Sequence, residues 1–489
     1  MDEKSTHSEP LPLCDATYPV YAVDSYGPNR LLLSSSMLFN DVLDVQIVKS
    51  SLERLIQIGD WRKLGGRLQE KHKGTLEIRV PDQFTDAEPA FAFTHHTHDI
   101  CFSSHPQGKL YPRATDGPST QRIDYAALSP LLSPPGLPKD FAAMIKQKWP
   151  QLTLFISSFQ DATFISLIWP HTLMDASGFY SLLKNWSYVM AGEMDKVEPV
   201  LGASVDVLAQ IDTEANEKAT HVLDPLCMSA LQKTIFALRF LWRKMMVRQE
   251  LRMVYIPDAV MRRLKDRTAQ EAKDAAEKGD QDAFISEGDV LVGWLMRANA
   301  AAHSHPITLF SLVNARSRLP GTSKAEGVYI QNIIGMVFIM YSAEALKRSG
   351  GSIALKHRRS LEPQLDGDQL AMYMQKVRKT AVGGGIPPVL YGDSSAVLAA
   401  SNNIAKSSPF TGADFGPAVI RAGDKSKDKK NPPGTMTVYY NCIVGPGSAL
   451  PGIFLTWGRD HGRGLWLTAS LSSDQWSWLE KDMASLSEG

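Results

Sequence analysis

Two side chains suited to proton transfer and anchoring stand four positions apart in Trp169-Pro170-His171-Thr172-Leu173-Met174-Asp175-Ala176-Ser177-Gly178. An imidazole can accept a hydroxyl proton near neutral pH, whereas a carboxylate four residues on can hold the local backbone. The apolar run 164–169 reads as a buried strand, and Phe179, Leu182, Leu183, Trp186 and Met190 then recur at helical spacing. His171 is therefore expected at a strand-to-helix corner, where functional side chains are often presented, with Asp175 one helical turn further on.

Spacing alone discriminates little, because 12 histidines in 489 residues give roughly one His-x-x-x-Asp by chance at ordinary Asp frequency. His95 and Asp99 repeat it inside the stretch 91–102, which reads as one continuing strand on a period of two. His95, His96, His98 and Asp99 also fail as a metal site: adjacent strand residues face opposite ways and no fourth ligand has readable spacing, so no metal is expected. Far downstream, Asp414-Phe415-Gly416 is unaccompanied by a His-Arg-Asp loop or a phosphate-cradling glycine loop, which argues against kinase chemistry. Gly383-Gly384-Gly385 lacks a following Lys-Ser/Thr and reads as a helix terminator.

The elements that must position these residues are legible in outline. Val45, Val48, Leu52, Leu55 and Ile56 form a helical stripe ending at Gly59; Leu64-Gly65-Gly66-Arg67-Leu68 reads as a turn; strands are predicted at 76–80, 152–159 and 164–169. In the second half, Ser286 is placed to cap a helix carrying Val290, Leu291, Trp294 and Leu295, strands are predicted at 253–256, 307–313, 336–341 and 465–471, and helices at 369–377 and from Asp474. Segments 435–444 and 453–457 look like a hairpin, and the lysine-rich loop at Lys425, Lys427, Lys429 and Lys430 is expected to be mobile. Neither half repeats a βαβ rhythm, so the pattern favours an α/β chain of two domains with mixed sheets: 1–205, a crossover linker 206–230, and 231–489.

Fifty-two basic residues balance 52 acidic ones, which gives no global field for nucleic acid or an anionic membrane. The four cysteines, Cys14, Cys101, Cys227 and Cys442, form no C-x-x-C, and Met1 to Ser5 is polar with no signal-peptide core behind it; a reduced, cytoplasmic protein is expected. The apolar stretch 234–247 is broken by Arg239, Arg243 and Lys244, too short to span a bilayer. It is expected to be a helix packed between the domains with its charges solvated, the alternative being a basic amphipathic helix lying on a membrane.

In this order along the chain, Leu64 to Leu68, His171 to Asp175, Asn314-Ala315-Arg316-Ser317-Arg318 with Tyr329 and Asn332 behind it, and Asp414-Phe415-Gly416 resemble the motifs of the BAHD acyltransferases, and more narrowly their fungal secondary-metabolism branch. Departures stand beside the likeness. Ala176 replaces the glycine that usually follows the aspartate, which would loosen the turn; Pro417 and Ala418 replace a Trp-Gly pair; Ser401-Asn402-Asn403 replaces a Ser/Thr-Ser-Trp run. The resemblance implies two chloramphenicol-acetyltransferase-like domains with a channel between them, a monomer, an acyl-CoA co-substrate (acetyl-CoA first) and no bound cofactor. It also implies that His171 is the base, that Asp175 pairs with Arg316 or Arg318, that Asp414 supports the site, and that Ser401, Asn402, Lys406, Phe415, Gly416 and Arg421 border the CoA. The acceptor would be a hydroxylated terpenoid, alkaloid or polyketide. Alternatives are an amide-forming enzyme like a condensation domain, disfavoured because Pro170 stands where a second histidine would precede the motif, and a non-catalytic binding protein that retains the fold.

Overall fold

Two large mixed sheets, each with its own helices and apolar core, build the architecture. The computed structural model describes residues 15–71, 74–214, 220–276, 283–322, 326–382, 390–423, 431–445 and 451–488. Cys14, Gly383 to Gly385 and the loop containing Lys425, Lys427, Lys429 and Lys430 lie outside the described residues.

The first sheet has five strands in the order Met436–Ile443, Leu32–Phe39, Thr163–Pro170, Thr153–Ser158 and Ala92–Thr97, the last pair parallel and the others antiparallel. Every residue of Thr163–Pro170 is buried, as expected of a central strand covered on both faces. The second sheet has seven: Ile334–Tyr341, Ile307–Asn314, Val397–Asn403, Ile453–Arg459, Leu465–Leu471, Glu250–Ile256 and Ser119–Arg122. Strands cross between the halves. Met436–Ile443, late in the chain, pairs with Leu32–Phe39, while the early strand Ser119–Arg122 borders Glu250–Ile256.

Several sequence expectations are met closely. Helix Val45–Ile56 starts at Asp44, whose side chain accepts from the amides of Gln46 and Ile47, and Ser286 and Asp289 form a capping box at the start of helix Glu287–Ala302. Others need correction. Segments 435–444 and 453–457 are not a hairpin: Met436–Ile443 joins the first sheet and Ile453–Arg459 the second, and they meet through side chains such as Tyr439 and Trp457, edge-on at 5.4 Å between ring centroids. The strand at His95 covers only Ala92–Thr97 and gives way to a 3-10 turn at Phe102–Ser104. Residues 64–68 are not a single turn, since Leu64 and Gly65 close the 3-10 helix Gly59–Gly65 while Arg67 and Leu68 begin strand Arg67–Glu70.

Helix Ala230–Met246 departs furthest from expectation. It is not packed between domains: Phe236 is its single buried residue, while Leu231, Leu238, Leu241, Trp242, Met245 and Met246 are exposed. Among the described residues no helix is long and apolar enough to cross a membrane.

Candidate active site

His171 directly follows the last residue of strand Thr163–Pro170, and Asp175 is the N-cap of helix Ala176–Met190. The residues between them form a turn closed by the Leu173 amide on the Pro170 carbonyl, at 2.9 Å, so the two side chains do not share a helical turn as the spacing suggested. Asp175 is extended (φ −94°, ψ −175°), as an N-cap should be, and its Oδ1 accepts from the Gly178 amide at 2.9 Å. Behind this corner Phe179, Leu182, Leu183 and Trp186 are fully buried, and Trp169 stacks on Phe179 at 4.5 Å between ring centroids. Each such side chain contributes roughly 1.5–3 kcal/mol relative to exposure, which makes the strand-to-helix junction a stiff platform.

The expected loosening at Ala176 does not occur. Glycine is needed two residues later, where a Cβ on Gly178 would lie 2.2 Å from the Ile330 carbonyl oxygen, so the helix start and segment 330–333 come together as bare backbone.

That approach lets Asp175 be gripped from the second half of the chain. Arg316 Nη1 and Nη2 donate to Asp175 Oδ2 and Oδ1, both at 2.9 Å, and the Ile333 amide donates to Oδ2 at 3.1 Å. With Gly178, these bonds occupy about four acceptor positions, the full capacity of a carboxylate. Asp175, 2% exposed, has none left for a substrate. Arg316 is equally committed: Nε donates to the Tyr329 carbonyl at 3.1 Å, Nη2 to the Gln331 carbonyl at 2.6 Å and Nη1 to Asn314 Oδ1 at 3.3 Å. The alternative partner, Arg318, is exposed and makes no such pair.

His171 is half-buried and faces a different environment. Its amide donates to the Leu31 carbonyl at 2.9 Å, and its own carbonyl accepts from Asn332 Nδ2 at 3.0 Å. Asn332 is fixed in turn by Asp24, whose Oδ1 accepts from the Asn332 amide and side chain, each at 2.8 Å. Burial pushes the imidazole pKa below its ordinary value, opposed by its own carbonyl, the Asp175 charge, the Met174 carbonyl and Asn332. The ring is thus held neutral and able to accept a proton. Nδ1 is enclosed without a fully formed hydrogen bond. Burial also raises Asp24 to about 6, against the nearby Lys63 charge and the Asn332 bonds. Nothing in the sequence marks Asp24; its role exists only because residues 24 and 332 meet.

The remaining candidates scatter. Ser401 and Asn402 lie on strand Val397–Asn403, Ser401 buried and Asn402 half-buried, and Lys406 follows in the exposed 3-10 turn Ala405–Ser407. Ser407 Oγ lies 3.3 Å from Ser177 Oγ, which also accepts from Asn314 Nδ2 at 2.9 Å, so this group borders the helix start at Asp175. Asp414 is exposed at the other end of that helix: its amide donates to Ser187 Oγ at 2.9 Å, and its carboxylate accepts from the Gly416 amide at 3.0 Å. Phe415 is fully buried, stacked on Phe39 at 5.2 Å between centroids, so its ring builds the core and has no face for a ligand. Arg421 donates to the Gln160 carbonyl, beyond the start of strand Thr163–Pro170 and roughly 25 Å from His171 by strand rise. Lys406 and Arg421 therefore do not form one patch. Among the described residues no cluster of His, Cys, Asp or Glu is arranged to hold a metal.

A half-buried histidine at a strand end thus stands beside a carboxylate locked across the two halves, between two mixed sheets. No family model matches the chain. The chain is 32% identical over 487 residues to acetyltransferase pyiB of Pyricularia grisea, covering 97% of this chain and 94% of that protein. It is 29% identical to O-acetyltransferase PaAT-2 of Phomopsis amygdali over 95% and 96% of the two chains. Among solved structures, TRI101 of F. sporotrichioides, complexed with coenzyme A and T-2, superposes with a TM-score of 0.63 at 13% identity over 95% and 97% of the chains, and shares the two-domain chloramphenicol-acetyltransferase-like fold. The chain belongs to the BAHD-type acyltransferases of fungal secondary metabolism.

Proposed function

We propose that the chain is an acyl-CoA-dependent O-acyltransferase that moves an acetyl group to a hydroxyl of a terpenoid, alkaloid or polyketide, with His171 as general base. The supporting observation is the division of labour at the corner: Asp175 is saturated by Arg316 and two amides, while the half-buried His171 imidazole, its pKa lowered by burial, stays partly open at the strand end. The imidazole removes the acceptor proton as the oxygen attacks the thioester carbonyl; the tetrahedral intermediate then collapses, the C–S bond breaks, and the imidazolium protonates the departing thiolate. No covalent enzyme intermediate is needed. Such a base supplies about 10²- to 10⁴-fold, with positioning and oxyanion contacts adding the rest.

Ser401, Asn402 and Lys406 stand nearest the corner among the proposed donor contacts, and the halves 1–205 and 231–489, joined by 206–230, would admit acceptor and CoA from opposite faces. This reading takes the enzyme as a cytoplasmic monomer. The test is incubation with acetyl-CoA and a panel of hydroxylated metabolites, reading thiol release together with a mass gain of one acetyl group. An acceptor panel of amines that reacts while every alcohol fails would favour amide formation, and neither product nor thiol across both panels would favour a binding protein.

A further inference from the structure

Helix Ala230–Met246 turns its apolar side away from the protein. Leu231, Leu238, Leu241, Trp242 and Met245 recur at intervals of three, four or seven and are 55–73% exposed, which places them on one stripe some 100° wide at 100° per residue. The opposite side packs: Phe236 is buried, and the Arg243 guanidinium donates to the carbonyls of Ser395 and Ala396 at 3.0 Å each. A contiguous outward stripe of this kind, with an exposed tryptophan in it, is unusual for a surface with nothing to cover it.

The charges beside the stripe indicate what covers it. Between 230 and 248 the chain has Lys233, Arg239, Arg243, Lys244 and Arg248 and no Asp or Glu, although the whole protein is neutral. Arg239 and Lys244 are exposed on the two flanks of the stripe. Beneath the end of the helix lies a cleft of about 450 Å³ lined by Arg243, Lys244, Arg248, His303 and His305, with Asp474 its one carboxylate. A second copy of the helix would bring these cations against their own kind, whereas a surface of anionic headgroups complements them. We infer that helix Ala230–Met246 docks the protein in the plane of an anionic phospholipid bilayer, Leu238, Trp242 and Met245 entering the headgroup boundary and Arg239, Lys244 and Arg248 meeting phosphates. The cleft borders the start of strand Val397–Asn403, about 20 Å by strand rise from its end at the candidate active site, so docking is independent of the acyl-transfer reading.

The test is sedimentation of the full chain with vesicles of phosphatidylcholine alone or mixed with phosphatidylserine. The chain is expected to pellet with the anionic vesicles and not the neutral ones, less so as salt rises. Arg239→Glu with Lys244→Glu should lower the partition coefficient at least about 25-fold, each cation near an anionic surface being worth roughly fivefold. Leu238→Ser with Trp242→Ser should also lower it about tenfold or more, with melting temperature and thiol release unchanged because these side chains are exposed. Absence of pelleting, equal pelleting with neutral vesicles, or variants that bind like wild type would overturn the inference. So would a concentration-dependent dimer in ultracentrifugation that Leu238→Ser with Trp242→Ser dissolves.

Discussion

His171–Asp175 and His95–Asp99 share one spacing but stand in different surroundings. His95 lies on the edge strand Ala92–Thr97 of the first sheet, exposed, its Nε2 2.9 Å from Ser158 Oγ, and Asp99 is exposed beyond the strand end. His171 ends an inner strand, and Asp175 is buried under four hydrogen bonds. Burial lowers the pKa of both histidines. A perturbed imidazole is therefore not itself a sign of chemistry; what separates the pairs is whether the second half of the chain closes over the aspartate.

The comparison is easiest to break at the histidines. His171→Ala should cut turnover about 10²- to 10⁴-fold with the fold and acyl-CoA affinity retained, while His95→Ala should leave kcat unchanged. Equal losses in steady-state kinetics would remove the distinction.

The aspartates should differ next. Asp175→Ala strands Arg316 in a partly buried cage and should destabilise by about 3–5 kcal/mol in denaturant melts, lowering activity with it. Asp99→Ala should stay within about 0.5 kcal/mol. Arg316→Lys keeps the charge but loses the forked pair, and should melt between wild type and Asp175→Ala. A full-stability Asp175→Ala that has lost only activity would move this carboxylate into the reaction.

Acidification gives a third contrast. The folded pKa of His171 lies below its ordinary 6.5, so its neutral form survives as pH falls through that value and is lost only as pH passes the folded pKa. kcat/KM should hold level through pH 6.5 and fall about tenfold per unit only once pH is below the folded pKa. The linked stability is present above 6.5 and diminishes as pH drops from 6.5 toward the folded pKa, because the unfolded chain takes up the proton first. His95→Ala should reproduce the wild-type activity profile.

The smallest effects belong to the donor contacts. Lys406→Glu, beside the corner, should raise the acyl-CoA KM several-fold, more at low salt, without changing the acceptor KM. Arg421→Glu, at the far end of the strand, should change it less. The reverse order in donor titrations would place the phosphates near Gln160.

Much of the corner was legible before any contact was known. The unbroken apolar run up to Trp169 and the helical stripe after Gly178 are local features with local consequences, whereas the place of Asp175 as the helix cap, rather than one helical turn beyond His171, was not legible in the spacing. The choice of Arg316 over Arg318 was not, since both cations follow the same strand and only the chain path past Tyr329 and Gln331 decides which is enclosed. Strand Leu32–Phe39 escaped detection for a related reason. Ser34, Ser35 and Ser36 interrupt its apolar pattern, yet all three are buried, their hydroxyls bonded to Leu132 O, Tyr439 OH and Tyr111 OH at 2.6, 2.7 and 2.9 Å.

By itself the sequence determined which segments could be buried strands, which helices had an apolar side, and that a proton acceptor ended one of those strands. Those properties follow from side-chain periodicity, which is written in neighbouring residues. Only the tertiary structure decided that Met436–Ile443 crosses to the first sheet, that Asp24 and Asn332 brace the His171 backbone, and that helix Ala230–Met246 turns its apolar stripe outward. Each outcome depends on the desolvation and pairing of groups far apart in the chain, and no local pattern records which distant partner will satisfy a buried charge or cover an apolar face.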